Sequence, residues 1–300
     1  NPSDTSFSLI AETAAGTTPA TPAFLRLDYI EGDELNLESD KIESAVMKNN
    51  RSSAGFRKSN ERVGGSMKTE LFRDAAVDLL LESALSGTFT TNVLKAGVTD
   101  KSFTVEKKLL DGASTYFSRF KGCQVSKISL SSDTGSTVEM SVDVIGMTKE
   151  LATTQITGAT YTNSANTTKL AGIDAAVTIT GLTVDYSSFE VMVEHDRESQ
   201  GKLGSKVSRG IGTSGIRKVT GKVVFYRENW TPETVMMSDN PAALTITIGS
   251  GTSGYTITIP AAQWEIPTDS TDASKALVEA SFVGRFDPVT GTDIQITKLA

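Results

Sequence analysis

Apolar and polar residues alternate along most of this 300-residue chain. In STVEMSVDVIGM, Val138, Met140, Val142 and Val144 take one parity, and Glu139, Ser141 and Asp143 take the other. That pattern predicts a strand with one buried face. The same period runs through FLRLDYIEG, KIESAVMKN, GSMKTELF, KSFTVEKKL and CQVSKISLS in the first half. In the second half it runs through AAVTITGLTVDY, SFEVMVEHD, VTGKVVFY, ALTITIG, YTITIPAAQWEI and KALVEASFVGRF. Strands punctuated by Gly, Ser and Asp predict a mainly β protein, an antiparallel sandwich or barrel. Two segments depart from period two. RDAAVDLLLESALSG gathers Ala76, Leu79, Leu80 and Leu85 on a helical face, with Asp74 as the N-terminal cap and Gly87 as the stop. NWTPETVMMSDN predicts a shorter helix, capped by Thr231 with Pro232 in the first turn.

The two halves repeat an order of elements. KNNRSSAG (48–55) lies over EHDRESQG (194–201), each after a predicted strand and before a basic, glycine-containing loop. Each loop runs into another strand, GSMKTELF or GKVVFYRE, and then into a helix. Later, Val138-Glu139 lies over Val278-Glu279, and Gln124 over Gln263. This predicts a tandem duplication. One β-domain spans 24–152 and the second 173–300, joined by a Thr- and Asn-rich linker over 153–172. Residues 1–23, rich in Thr, Ala, Pro and Gly, predict an extended N-terminal arm that a neighbour orders.

Composition narrows the chemistry. Asp and Glu total 36 against 29 Lys and Arg, a net charge of −7, which argues against wrapping nucleic acid through phosphate neutralisation. The single cysteine, Cys123, excludes an internal disulfide framework and a Cys-rich zinc site. It lies in an alternating stretch and is read as a small buried side chain. The single histidine, His195, sits among charged neighbours, where adjacent acids point to the opposite face of a strand. It is read as a solvated loop residue. Trp230 and Trp264 are read as buried. RGIGTSGIRK (209–218) carries a G-x-G-x-x-G spacing, but no apolar strand leads into it and no helix opens behind it, so a phosphate cradle is not expected. No cofactor, metal site or catalytic constellation is predicted, and no run reaches the ~20 apolar residues of a membrane span. The start of the chain does not read as a signal peptide.

The order and texture of ETAAGTTPATPAFLRLDY, NNRSSAGFRKSNERVGGSMKTELFRDAAVDLLLESALSG and SFTVEKKLLDGASTYFSRFKGCQVSKISLSSDTGSTVEMSVDVIGM resemble the major tail proteins of siphophages, the subunits of the tail tube. The resemblance covers most of residues 12–150 and reaches the second half through the repeat. It implies tandem β-sandwich or half-barrel domains, each with a flanking helix, joining copies of the same chain into rings. The rings stack helically around a channel that conducts genomic DNA without binding it specifically. Two tube domains per chain imply a homotrimer with pseudo-sixfold symmetry; one implies a hexamer. The basic loops fall where the family's inter-ring stacking loop lies. Arg51, Phe56, Arg57, Lys58 and Arg62 in the first, and Arg197, Lys202, Lys206, Arg209, Arg217 and Lys218 in the second, are the implied stacking residues. Glu139, Asp143 and Glu279 are candidates for an acidic lumen that repels phosphates. Tape-measure and tail-end proteins are the implied further partners, with synthesis in the host cytoplasm and residence in the virion tail. Alternatives are a host- or carbohydrate-binding β-sandwich and the tube protein of a contractile or secretion system, since fold alone does not choose among them.

Overall fold

The fold is mainly β, as the alternation predicts. The computed structural model describes residues 5–30, 35–46, 52, 55–112, 114–164, 169–272 and 275–300. In chain order the first elements are β1 (Thr5–Ala11), β2 (Ala23–Leu27), β3 (Asn36–Glu43), β4 (Phe56–Glu70), helix α1 (Ala75–Leu85), β5 (Val93–Lys95), β6 (Phe103–Asp111), β7 (Ser114–Asp133), β8 (Glu139–Gly146), β9 (Thr148–Ala152) and β10 (Thr160–Thr162). There follow β11 (Ala175–Ile179), β12 (Tyr186–Gln200), β13 (Gly210–Tyr226), helix α2 (Thr231–Met236), β14 (Leu244–Ser250), β15 (Ser253–Ile259), β16 (Ala261–Trp264), β17 (Thr268–Asp272), β18 (Lys275–Arg285) and β19 (Gln295–Lys298).

Most strands join one 14-stranded sheet. One stretch of it runs β3, β4, β8, β7, β12, β13 and β18, with β16 and β17 both along the far side of β18. Strand β7 spans 20 residues and serves two stretches. Its second half pairs with β8 and β12, while its first half pairs with β6 and β9, and from β6 the sheet continues through β1, β2 and β10. Gly122 stands where β7 changes partners. Its φ of 67° lies in the left-handed region, and a Cβ there would meet the Met147 Sδ at 2.5 Å. Only glycine fits such a bend without strain.

A second, five-stranded sheet runs β11, β14, β15, β19 and β5. Its first four strands stand in the same chain order as β1, β6, the first half of β7 and β9 in the larger sheet. The fifth, β5, comes from the connection between α1 and β6 and pairs with β19 near the C-terminus.

Alternation has the expected consequence: apolar parities meet in one contiguous core. Met140, Val142 and Val144 of β8, Val191 and Val193 of β12, and Val278, Ala280 and Phe282 of β18 are all buried. Each Val, Met or Phe among them contributes roughly 1.5–3 kcal/mol by leaving water. Helix α1 lies against β7, β1, β2 and β12 and buries Leu79, Leu80, Leu81 and Leu85. Asp74 caps it, accepting from the Ala75 N–H at 2.6 Å. The left-handed residue at its end is Ser86, φ 48°, not Gly87. Gly87 is needed for space instead, since a Cβ would lie 2.3 Å from the Lys95 carbonyl. In α2, Trp230 occupies the cap position, so Thr231 begins the helix itself.

Three segments differ from the sequence expectation. The arm expected over 1–23 includes β1, which is paired on both sides and buries Phe7 and Leu9, so its own chain supplies the neighbour. The expected linker contains β10, which runs parallel to β2 and stacks Tyr161 on Phe24. The Tyr161 hydroxyl also donates to Glu106, a fully buried carboxylate that accepts from Arg119 Nε at 2.7 Å. Much of both basic loops is strand: FRKSNERVGG lies in β4, and GIGTSGIRK lies in β13.

Candidate assembly surfaces

Because paired residues in an antiparallel ladder share a face, register fixes what the large sheet presents away from its core. One row crosses it as Glu70, Glu139, Ser131, Glu190, Lys222 and Ser281. A neighbouring row holds Ser66, Asp143, Lys127, Glu194 and Lys218. Glu279 stands opposite Val224, which stands opposite Ser188. The three acids predicted for a lumen therefore share one polar face of one continuous sheet. Carboxylates outnumber lysines among these residues. Glu139 is exposed, and Glu279 sits 3.6 Å from Lys222 Nζ.

Two β-ribbons extend from this sheet. The first arm is β3 with β4, bearing exposed Phe56, Arg57 and Lys58. Arg51 lies outside the described residues. Arg62 is spent within the arm, on Glu38 at 3.1 Å and Asp40 at 2.8 Å. The Arg62 hydrogen bond first, then one from Asn60 Nδ2 at 3.1 Å, hold the Asp40 carboxyl below its ordinary pKa. The second arm is β12 with β13, and its tip carries exposed Lys202, Lys206 and Arg209; Lys218 is exposed at its base. Of the three motif glycines, only Gly215 has positive φ, at 72°, where β13 bulges between Ser214 and Lys218. The arms lie side by side, Glu61 N–H donating to the Lys206 carbonyl at 2.7 Å.

Two of the expected stacking cations are anchors instead. Arg197 is buried and donates to the carbonyls of Val125 (2.7 Å) and Ser83 (3.3 Å), to Ser86 Oγ (2.9 Å) and to Asp100 Oδ1 (2.9 Å). Arg217 grips both oxygens of Asp293, at 3.1 and 2.7 Å, and reaches the Gly97 carbonyl. Arg217 points inward on the parity of Val219 and Val223 in β13, and Arg197 because the parity that carries Val191 and Val193 of β12 into the core continues up the arm. His195 shares that parity and is buried, not solvated, its Nε2–H donating to the Ala84 carbonyl at 2.7 Å. That bond fixes a neutral tautomer. Burial first, then the Arg197 charge, lowers its pKa. Cys123 is buried as expected, and burial pushes its thiol pKa far up. Trp264 is buried with its Nε1–H on the Ala242 carbonyl at 3.0 Å, whereas Trp230 is 72% exposed beside α2.

Sequence reasoning missed the inward anchoring of His195 and Arg197, the buried pair of Glu106 and Arg119, and the half-buried Tyr161. Among the described residues no cluster of three or more His, Cys, Asp or Glu could hold a metal, and no helix is long and apolar enough to cross a membrane. A family model described as phage tail tube protein matches residues 2–286. The chain belongs to the phage tail tube protein family. No curated protein matches it. Membership of the tail tube family makes the chain a structural component of the virion tail that assembles with its own copies into a tube. The polar sheet face, the two projecting arms and the outer sides of β3 and of β16 and β17 are the candidate surfaces for such assembly.

Proposed function

We propose that the chain is a double tube module: two β-units, one built on 24–152 with β1 added to it and the other on 173–300, that close as a trimeric ring of pseudo-sixfold symmetry. The polar sheet face lines the bore, and the arms engage the next ring. The observation that carries this reading is the junction of β7 with β12. There a strand of the first unit pairs directly with a strand of the second, Val191 opposite Leu130 and Val193 opposite Ile128, giving one uninterrupted sheet. Two units that merge in this way have no need of a different joint to go around a circle. Edge strands then meet copies of themselves instead of remaining open templates for aggregation.

The bore would conduct DNA by not holding it. Glu139, Asp143 and Glu279 set negative charge on the face a phosphate backbone would pass, and like charge in a narrow channel keeps the polymer from adhering. The tips of the arms carry the opposite sign: Arg57 and Lys58 in one, Lys202, Lys206 and Arg209 in the other. Basic tips suit contact with an acidic neighbour, and Leu203, fully exposed at the second tip, suits burial in that contact. Tape-measure and tail-end proteins are the expected partners at the two ends of the tube.

End-on electron-microscope images of the assembled chain test the reading. Rings of three chains, showing six similar lobes around an open bore, are the expected result. A compact particle without a bore, or six chains in each ring, overturns it.

A further inference from the structure

A closed ring needs a joint between copies as well as the one inside each chain. The chain holds both mating surfaces, and its internal joint supplies a ruler for them. At that joint Glu190 of β12 stands opposite Ser131 of β7, and Glu194 opposite Lys127.

Each of these four positions has a counterpart. Lys68 of β4 and Lys222 of β13 are matched, since Lys68 stands opposite Ser141 and Lys222 opposite Ser281 on the strands that share the Val-Glu repeat. Glu190 faces Lys222, and Ile30 N–H donates to the Lys68 carbonyl at 2.8 Å. Ile30 thus takes the place of Glu190. By the same ladder Asn36, opposite Gly64, takes the place of Glu194, opposite Lys218. On the other side, Ser131 faces Glu139 as Thr268 faces Glu279, and Lys127 faces Asp143 as Gln263 faces Val283, so Gln263 answers Lys127 and not the Gln124 that the sequence repeat lays over it.

Resting on the ring reading above, we infer that a second copy of this chain docks along the outer side of β16 and β17 in the register of the internal joint. Asn36 of one copy stands opposite Gln263 of the next, and Ile30 opposite Thr268, in an antiparallel ladder. An independent observation favours the same occupant. One residue past Asn36, Leu37 takes the place of His195, the side chain that covers the last turn of α1 through Ala84. Leu37 is 38% exposed. Met237, which ends α2 as Ser86 ends α1, is 62% exposed. Docking in this register brings these two apolar side chains together and removes both from water.

Cysteine cross-linking reads the register. Cys123, alone and buried, leaves a silent background. Opposed residues in an antiparallel ladder hold their Cα atoms roughly 4.5–5.5 Å apart, within the roughly 4.4–6.8 Å that a disulfide spans. A slip of two residues adds about 6.8 Å and takes the pair out of range. Assembled tubes of the double variant Asn36→Cys with Gln263→Cys should give a ladder of covalent oligomers on mild oxidation, ending at the ring size. Asn36→Cys with Glu265→Cys should stay monomeric under denaturing electrophoresis. Ile30→Cys with Thr268→Cys repeats the test should the first variant fail to assemble. Cross-linking through Glu265→Cys instead, or none from either matched pair in tubes with a visible bore, overturns the joint. If the unaltered chain forms no bore-containing ring, the tube reading falls and takes the joint with it.

Discussion

The two arms are built alike and held differently. The second is bolted to the body by side chains that turn inward: buried Arg197 on Asp100, the buried His195 on the Ala84 carbonyl, and the partly buried grip of Arg217 on Asp293. Among the described residues the first has exposed ion pairs inside its own ribbon, Arg62 with Glu38 and Asp40, and no buried charged anchor. It reaches outward through Glu61, whose N–H donates to the Lys206 carbonyl and whose carboxylate accepts from Thr148 Oγ1. The second arm rests on a helix of its own chain. On the ring reading, the first rests on the helix of a neighbour, so its anchors are absent until assembly. An ion pair within an exposed ribbon ties two strands to each other; a buried arginine on a helix end ties a ribbon to a core.

The comparison breaks most sharply at Arg197. Arg197→Ala leaves the Val125 and Ser83 carbonyls without its donors in the interior, while the exposed Asp100 keeps Ser86 and Thr213 as donors. Unsatisfied buried acceptors cost about 1–3 kcal/mol each, so a loss of about 2–5 kcal/mol is expected. A loss below about 1 kcal/mol, read from urea unfolding as the midpoint shift multiplied by the m value, would make the two arms equivalent. Arg217→Ala removes a two-pronged grip that is only partly buried, and a loss of about 1.5–3 kcal/mol is expected by the same measurement. His195 gives a smaller, pH-dependent term. Its folded pKa lies below the ordinary 6.5, so the unfolded chain takes up a proton first and stability falls as pH drops through that value. The melting temperature of His195→Asn should depend less on pH between about 7.5 and 5.5 than that of the unaltered chain; parallel curves would deny the histidine this role. Smallest is Arg62→Ala, worth about 0.2–1 kcal/mol and shrinking further in high salt. A salt-independent loss larger than that would mean the first arm is anchored after all.

How much of this was legible in the sequence depended on what lay beneath each strand. β8 and β18 stand over the core, so their polar and apolar residues separate cleanly, and the strands and the shared face of Glu139 and Asp143 follow from parity alone. FRKSNERVGG and GIGTSGIRK project beyond the core. With water on both sides a strand has no reason to alternate, and these ribbons read as loops. Arg197 and His195 lie between the two cases. The parity of Phe189, Val191 and Val193 carries on to both and points them inward, but the charges at Glu194, Asp196 and Glu198 hid it. Trp230 fails for another reason: an aromatic ring was assigned to the interior on its type, when the described surface beside α2 leaves it uncovered.

The small strand β5 has a mechanical consequence. It sews the outer sheet of the second unit to the first, so that within a chain the two units are stitched twice, at β7 with β12 and at β5 with β19. The connection from α2 to β14 contains no strand that could place a matching stitch on β9 of a neighbour. Stiffness would then alternate around the circumference of an assembled tube. Bending strain would gather at the singly stitched contacts, and a tube pulled to failure should come apart into whole chains, not half-chains.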